Sequence, residues 1–257
     1  MNNEYSYSFS PSGAPFYPGS RAPGRETVVV SSAYGDVNGD GVPDHVYLTA
    51  LKPTQQGSPF WENITLHVQC GATRQVYTIP LEVNSGYNPT LFLGDFTKDG
   101  ISDILVRIDS GGSGAFTYDY VYSFVHNQAR KLFDFNAYNE QNKYTVQYMN
   151  GYKVKVTSMA TSTTYIIDIS GRGADYLNAI YDANGRLKAP IQGDVNGVSG
   201  LYPVDMERDG VYELQAYQRI TGQYNADGLG YVINTLQWDG RQFAIWQQWV
   251  AIFGNPT

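Results

Sequence analysis

The stretch Tyr34-Gly-Asp-Val-Asn-Gly-Asp-Gly-Val-Pro-Asp-His-Val-Tyr-Leu48 decides how this chain is read. Asp36, Asn38 and Asp40 put an oxygen-bearing side chain at alternate positions, and Asp44 follows at the ninth place counted from Asp36. The run after Asp44 alternates apolar and polar residues as a strand does. Asp, Asn and Gly are also ordinary turn residues, so one such loop is a modest signal. If the loop wraps a cation, alternate side chains converge on one point, and Gly41 permits the sharp bend that a side chain would block.

Two further copies strengthen the signal. Asp95, Thr97, Asp99, Gly100 and Asp103 repeat the pattern, as do Asp205, Glu207, Asp209, Gly210 and Glu213. The shared form is D-x-[DNTE]-x-D-G-x-x-[DE]. The carbonyls of Val42, Ile101 and Val211, one place after each glycine, complete a shell of about six oxygens with water. Hard oxygens without nitrogen or sulfur suit Ca²⁺ better than a transition metal, and better than Mg²⁺, which holds a tighter octahedron. The expectation is about three calcium ions, one per loop, with Thr97 standing in the second loop where a carboxylate or amide is usual. The segments Asp194–Gly197 and Asp182–Gly185 are read as turns.

The loops carry the protein's acidity. They hold ten of its 24 acids, and the other 14 face 17 Lys and Arg residues, so the net charge of −7 comes from the loops. No basic block marks a nucleic-acid partner. One cysteine, Cys70, allows no internal disulfide, and three histidines with it allow no Cys/His zinc cluster. No apolar run reaches the roughly 18 residues of a membrane span.

From Glu26 onward the chain reads as short strands rich in Val, Ile, Tyr and Thr, separated by Gly, Asn, Asp and Pro. Ala174–Ile180 is the one helix candidate. Asp36, Asp95 and Asp205 are 59 and 110 residues apart, which fits a period of roughly 55–60 residues with one unit lacking the motif. That unit would begin near Asn150. Four strands per period is the content of a propeller blade. The expected fold is therefore all-β and propeller-like, with about four four-stranded blades in a single domain over residues 27–257. Residues 1–26, rich in Pro, Gly and Ser, are expected to form an extended arm with a short strand at Tyr5–Phe9.

The twelfth loop positions, Tyr47, Val106 and Ala216, lack the bidentate glutamate of an EF-hand, and strands rather than helices follow each loop. The opening GDVNGDG also looks like the helical dockerin module, which the same strands disfavour. With an acid at the ninth place, the three loops resemble those of FG-GAP/VCBS-type repeats, the calcium loops of integrin-like propellers and many bacterial surface proteins. The resemblance lies in the loops; the literal FG and GAP signatures are missing. It implies a loop between two strands of one blade and calcium as a structural pin.

No nucleophile–His–acid set, GxSxG, HExxH or phosphate loop is present. His45, His67 and His126 are read as structural or exposed. The expected function is a non-enzymatic calcium-binding protein of a bacterial cell or spore surface, structural, self-assembling into fibres, or adhesive. The Tyr5–Phe9 strand would join copies by pairing with an exposed sheet edge. The alternative is a lectin-like module that binds a surface glycan through Trp61, Trp238, Trp246, Trp249 and the tyrosines. A glycan hydrolase or lyase is the third reading. No secretory signal is visible at the N-terminus, MNNEYSYSFS.

Overall fold

The computed structural model describes residues 25–55 and 57–254. The expected strand at Tyr5–Phe9, and all of the arm except Arg25 and Glu26, lie outside the described residues.

The fold is all-β with two short helices. Sheet 1 is an antiparallel meander of β1 (Thr27–Gly35), β2 (Asp44–Leu51), β3 (Glu62–Gln69) and β4 (Val76–Pro80). Sheet 2 repeats it with β5 (Tyr87–Gly94), β6 (Asp103–Asp109), β7 (Thr117–Ser123) and β8 (Arg130–Asp134). Strict alternation sets which face is buried: Val46, Leu48 and Ala50 of β2 and Ile64, Leu66 and Val68 of β3 are fully buried, while His45, Tyr47 and Thr49 face outward. Each of the Val, Leu and Ile side chains contributes about 1.5–3 kcal/mol on burial.

Sheet 3 has seven strands: β9 (Tyr144–Met149), β10 (Lys153–Ser158), β11 (Thr164–Asp168), β12 (Gln192–Val204), β13 (Glu213–Thr221), β14 (Gly228–Trp238) and β15 (Phe243–Ala251). Their spatial order is β11-β10-β9-β12-β13-β14-β15. The sheet curls until its ends nearly meet, and the Tyr165 hydroxyl on β11 donates to the Gln248 carbonyl on β15 at 2.9 Å. It is a nearly closed barrel.

Four separate blades are therefore not shown. The strands that the repeat spacing assigns to a silent fourth unit, β9 to β11, join the last sheet through Gln192↔Gln147 and Gly193↔Val146. The 13-residue β12 makes this joint. It runs through Asp194–Gly197, a segment expected to be a turn. Bulges at Val195–Gly200 absorb the irregularity. Gly193 is needed there, since a Cβ would stand 2.2 Å from the Thr221 carbonyl oxygen.

Two hydrophobic cores result. One lies between sheets 1 and 2 and the loop-side ends of β12 to β14, with Leu48, Leu66, Ile104, Tyr120, Phe96 and Leu214. The other fills the barrel, with Val146, Val154, Ile180, Ile220 and Val232. A hydrogen-bonded group lies where they meet. The Asn234 amide donates to Tyr138 and Tyr144 at 2.7 and 2.9 Å, and Gln248 donates to Asn234 at 2.8 Å. Buried polar groups need such partners.

The helix α2 (Ala174–Ile180) stands where the sequence places it. The helix α1 (Phe135–Gln141) follows directly on β8 and is not expected from the sequence. Asp134 caps it, accepting from the N–H groups of Asn136 and Ala137, and Phe135 and Tyr138, three apart, bury one face.

Candidate metal centre

Loop 1 (Asp36–Asp44) joins β1 to β2, loop 2 (Asp95–Asp103) joins β5 to β6, and loop 3 (Asp205–Glu213) joins β12 to β13. Each is the first connection in a run of four antiparallel strands. One hydrogen-bond scheme recurs in all three. Asp36 accepts from the N–H groups of Gly39 and Gly41 at 2.7 and 2.8 Å. Asp95 accepts from Lys98 and Gly100 at 2.6 and 2.8 Å, and Asp205 from Asp209 and Gly210 at 3.1 Å each. The fifth-position acids Asp40, Asp99 and Asp209 accept from Val42, Ile101 and Val211 at 2.8, 2.9 and 3.0 Å.

The ninth-position acids are buried: Asp44, Asp103 and Glu213 are 0, 1 and 2% exposed. Each accepts the N–H of its loop's second residue, Val37, Phe96 or Met206, at 3.1 Å. The sixth-position glycines Gly41, Gly100 and Gly210 have φ of 79, 81 and 85°, a region that side chains rarely adopt. The motif glycine is thus fixed by backbone geometry.

The loops also touch in series. Ser102 N–H donates to the Asp36 carbonyl at 3.2 Å, and Tyr212 N–H donates to the Asp95 carbonyl at 2.8 Å. Both donors occupy the eighth position. Loop 1 has Pro43 there and no N–H to offer, so the series begins at loop 1 and ends at loop 3. A turn between β7 and β8 covers loop 1: His126 N–H donates to the Asn38 carbonyl at 2.9 Å.

The third position distinguishes the loops. The Asn38 amide nitrogen lies 3.2 Å from Asp40, 3.4 Å from Asp44 and 3.2 Å from the Asn127 side-chain oxygen. The Thr97 hydroxyl donates to Asp103 at 3.2 Å. In loop 3 the ammonium of Lys98, from loop 2, reaches Asp209 at 3.4 Å. With Glu207, Glu213 and Trp238 it lines a cavity of about 40 Å³. Asn127 and the N–H of Gly71, which donates to Asp44 at 2.9 Å, escape the sequence reading because they lie outside the motif, and Lys98 because it acts on a loop other than its own.

The donor set is all oxygen and fits a hard cation. The conformation is a different matter: among the described residues no three Asp, Glu, His or Cys side chains stand together as metal ligands. Backbone N–H groups and the third-position donors satisfy the carboxylates instead. In loop 1 a cation needs the Asn38 amide turned by half a rotation, so that its oxygen rather than its nitrogen faces Asp40 and Asp44. Burial pushes the Asp103 carboxyl up to about 7, and the charges of Asp99 and Asp95 add to it against the hydrogen bonds from Phe96 and Thr97.

The histidines are engaged. Tyr34, His45, Tyr47 and His67 stack in a ladder with ring centroids 4.4, 4.8 and 5.0 Å apart, and His67 bonds Thr49 and Thr78. The tryptophans are spread over two sheets: Trp61 bridges to Gly86, Trp238 packs on Phe243, and Trp246 and Trp249 lie on β15. Tyrosines cluster instead. Tyr202, Tyr217 and Tyr231, with Ser199, Gln215 and Ala115, line an open cavity of about 590 Å³.

Residues 142–251 match the model of the YybI C-terminal domain, a span that coincides with the seven strands of sheet 3. The uncharacterized protein YybI of Bacillus subtilis (strain 168) is 50% identical over 235 residues, covering 91% of this chain and 89% of that protein. No solved structure matches. These matches replace the FG-GAP/VCBS assignment. That resemblance rests on three nine-residue loops, and Asp, Asn and Gly also serve ordinary turns.

Proposed function

The chain belongs to the YybI family, and we propose that it is a non-enzymatic structural protein whose three acidic loops take up calcium and pin its three sheets together. The observation that carries this reading is the serial contact of the loops, Ser102 to Asp36 and Tyr212 to Asp95, which makes one junction of three sheets. The ligands would be Asp36, Asn38, Asp40, Val42 and Asp44 in loop 1, then Asp95, Thr97, Asp99, Ile101 and Asp103 in loop 2. Loop 3 would offer Asp205, Glu207, Asp209, Val211 and Glu213. Calcium supplies charge compensation there, and the chain supplies position. In architecture we read the three loop-bearing meanders as blade-like units. Millimolar extracellular calcium fills such sites readily, which favours a cell or spore surface as the place of action.

Titration of metal-stripped protein with calcium, followed by calorimetry, tests the reading. Binding of about three ions, weakened by Asp36→Ala or Asp205→Ala, supports it; no heat at millimolar calcium refutes it.

The tyrosine cavity favours a second reading, a glycan-binding module. Its size lies within the range of small-molecule sites, and aromatic faces with a few polar groups suit sugar rings. A glycan array with wild type and Tyr217→Ala separates the two readings.

A further inference from the structure

The barrel is closed on six sides by backbone ladders and on the seventh by side chains alone. Along the seam between β11 and β15, Tyr165 donates to the Gln248 carbonyl at 2.9 Å, and Thr161 donates to the Gln248 side-chain oxygen at 3.1 Å. No backbone ladder joins the two strands. Two sheet edges therefore face each other with no ladder between them, the feature that invites an added strand.

Apolar side chains mark the same seam. Ile166 on β11 is 51% exposed and Trp246 on β15 is 42% exposed, and Met159, Ile252 and Phe253 at the strand ends are exposed as well. A cavity lies at each end. One, of about 490 Å³, is lined by Ala160, Thr161 and Phe243 to Ile245. The other, of about 390 Å³, is lined by Ile167 to Ile169, Arg172 and Ile252 to Gly254. The inner lip is polar, with the Tyr165 hydroxyl and the Gln248 amide, and the outer lip is apolar, with Ile166.

A strand that fits must alternate hydroxyl-bearing and aromatic residues. Tyr5-Ser6-Tyr7-Ser8-Phe9 has that alternation, and it lies in the 24 residues before the described chain begins at Arg25. Arg25 leaves from sheet 1, bonded to Lys52 and Glu62, and sheet 1 packs on β5 rather than on β11 or β15. The point of departure and the seam thus belong to different parts of the molecule, which favours a neighbouring copy over the chain's own seam.

We infer that the β11–β15 seam is an acceptor groove for the Tyr5–Phe9 segment of a second copy, adding an eighth strand to the barrel and linking copies head to tail. Such a heterologous contact propagates into chains when the rotation does not close. The inference does not depend on calcium in the loops.

Two full-length variants test it by complementation. Tyr7→Pro removes a ladder N–H and disables the donor strand; Ile166→Lys charges the acceptor edge. Light scattering coupled to size exclusion should show assemblies for wild type, monomers for each variant alone, and a one-to-one heterodimer when the two are mixed. Trp246→Lys serves as a second acceptor variant should Ile166→Lys fail to fold by circular dichroism. A wild type that stays monomeric overturns the inference. So does a mixture without heterodimer, including the case in which Tyr7→Pro only lowers the melting temperature because the segment docks on its own chain.

Discussion

Tyr212 donates its backbone N–H to the carbonyl of Asp95 at 2.8 Å, and this one bond ties the third acidic loop to the second. Ser102 and Asp36 make the equivalent bond between the second loop and the first. Residues 66 and 117 positions apart in sequence (102 − 36 and 212 − 95) thus meet at one junction. Whatever stiffens a loop there stiffens the contact between sheets, and that is why the loops bear on stability before they bear on any ligand.

Asp36 is the hub of loop 1, with both carboxylate oxygens on backbone N–H groups. Asp36→Ala leaves Gly39 and Gly41 without acceptors. In metal-free protein a loss of about 2–4 kcal/mol is expected from two charge-assisted bonds, and a larger one in calcium, where a ligand is lost as well. Denaturant midpoints at constant slope measure it.

Asn38→Asp separates the two states of loop 1. Without metal it replaces an amide donor with a third carboxylate beside Asp40 and Asp44, so the stripped protein should lose about 1–2 kcal/mol by like-charge repulsion. With calcium it adds a ligand. The gap in melting temperature between calcium and chelator should therefore widen over wild type; an unchanged gap means that Asn38 does not face the cation.

Asp103 gives a pH dependence. Its folded pKa of about 7 lies above the ordinary carboxylate value, so the folded state binds this proton more tightly than the unfolded chain. Its contribution to stability is fully present below about pH 4 and is lost as pH rises through about 7. In metal-free protein, Asp103→Asn should therefore raise the melting temperature at pH 8 by about 3 °C or more and by much less at pH 4, apart from effects shared by both. Thermal scans at the two values check the sign.

The polar group between the two cores offers a test away from the loops. Asn234→Leu leaves the hydroxyls of Tyr138 and Tyr144 and the Gln248 amide short of a partner. A loss of about 2–4 kcal/mol is expected, since buried unsatisfied groups cost more than the bond itself contributes.

The all-β class was legible because β2 and β3 alternate so cleanly, and the loops because Asp and Gly recur at fixed offsets. The helix α2 was legible too. The grouping of strands was not. Spacing between the second and third loops suits two units, but nothing in the sequence of β9 to β11 says that they will join β12 rather than stand alone. β12 itself hides behind Gly193, Asn196 and Gly197, whose composition is that of a turn, although close packing against Thr221 and Asn139 is what demands the glycines. The helix α1 follows directly on β8, so Phe135 reads as the end of the apolar strand run before it rather than as the start of a new element. At the loops the acidic positions could be read, but not the conformation of the Asn38 amide, which depends on Asn127 in the turn between β7 and β8.

The most direct test of the central claim is the melting temperature of the full chain in excess calcium and in excess EDTA at pH 7. Binding to the folded state alone stabilises by about 2.7 kcal/mol at one hundred times the dissociation constant, or about 5–10 °C for a chain of this size. A rise of that order in calcium, absent in magnesium at the same concentration, is the predicted result. Superimposable melts in calcium and EDTA would contradict the account and leave the loops as staples closed by their own hydrogen bonds.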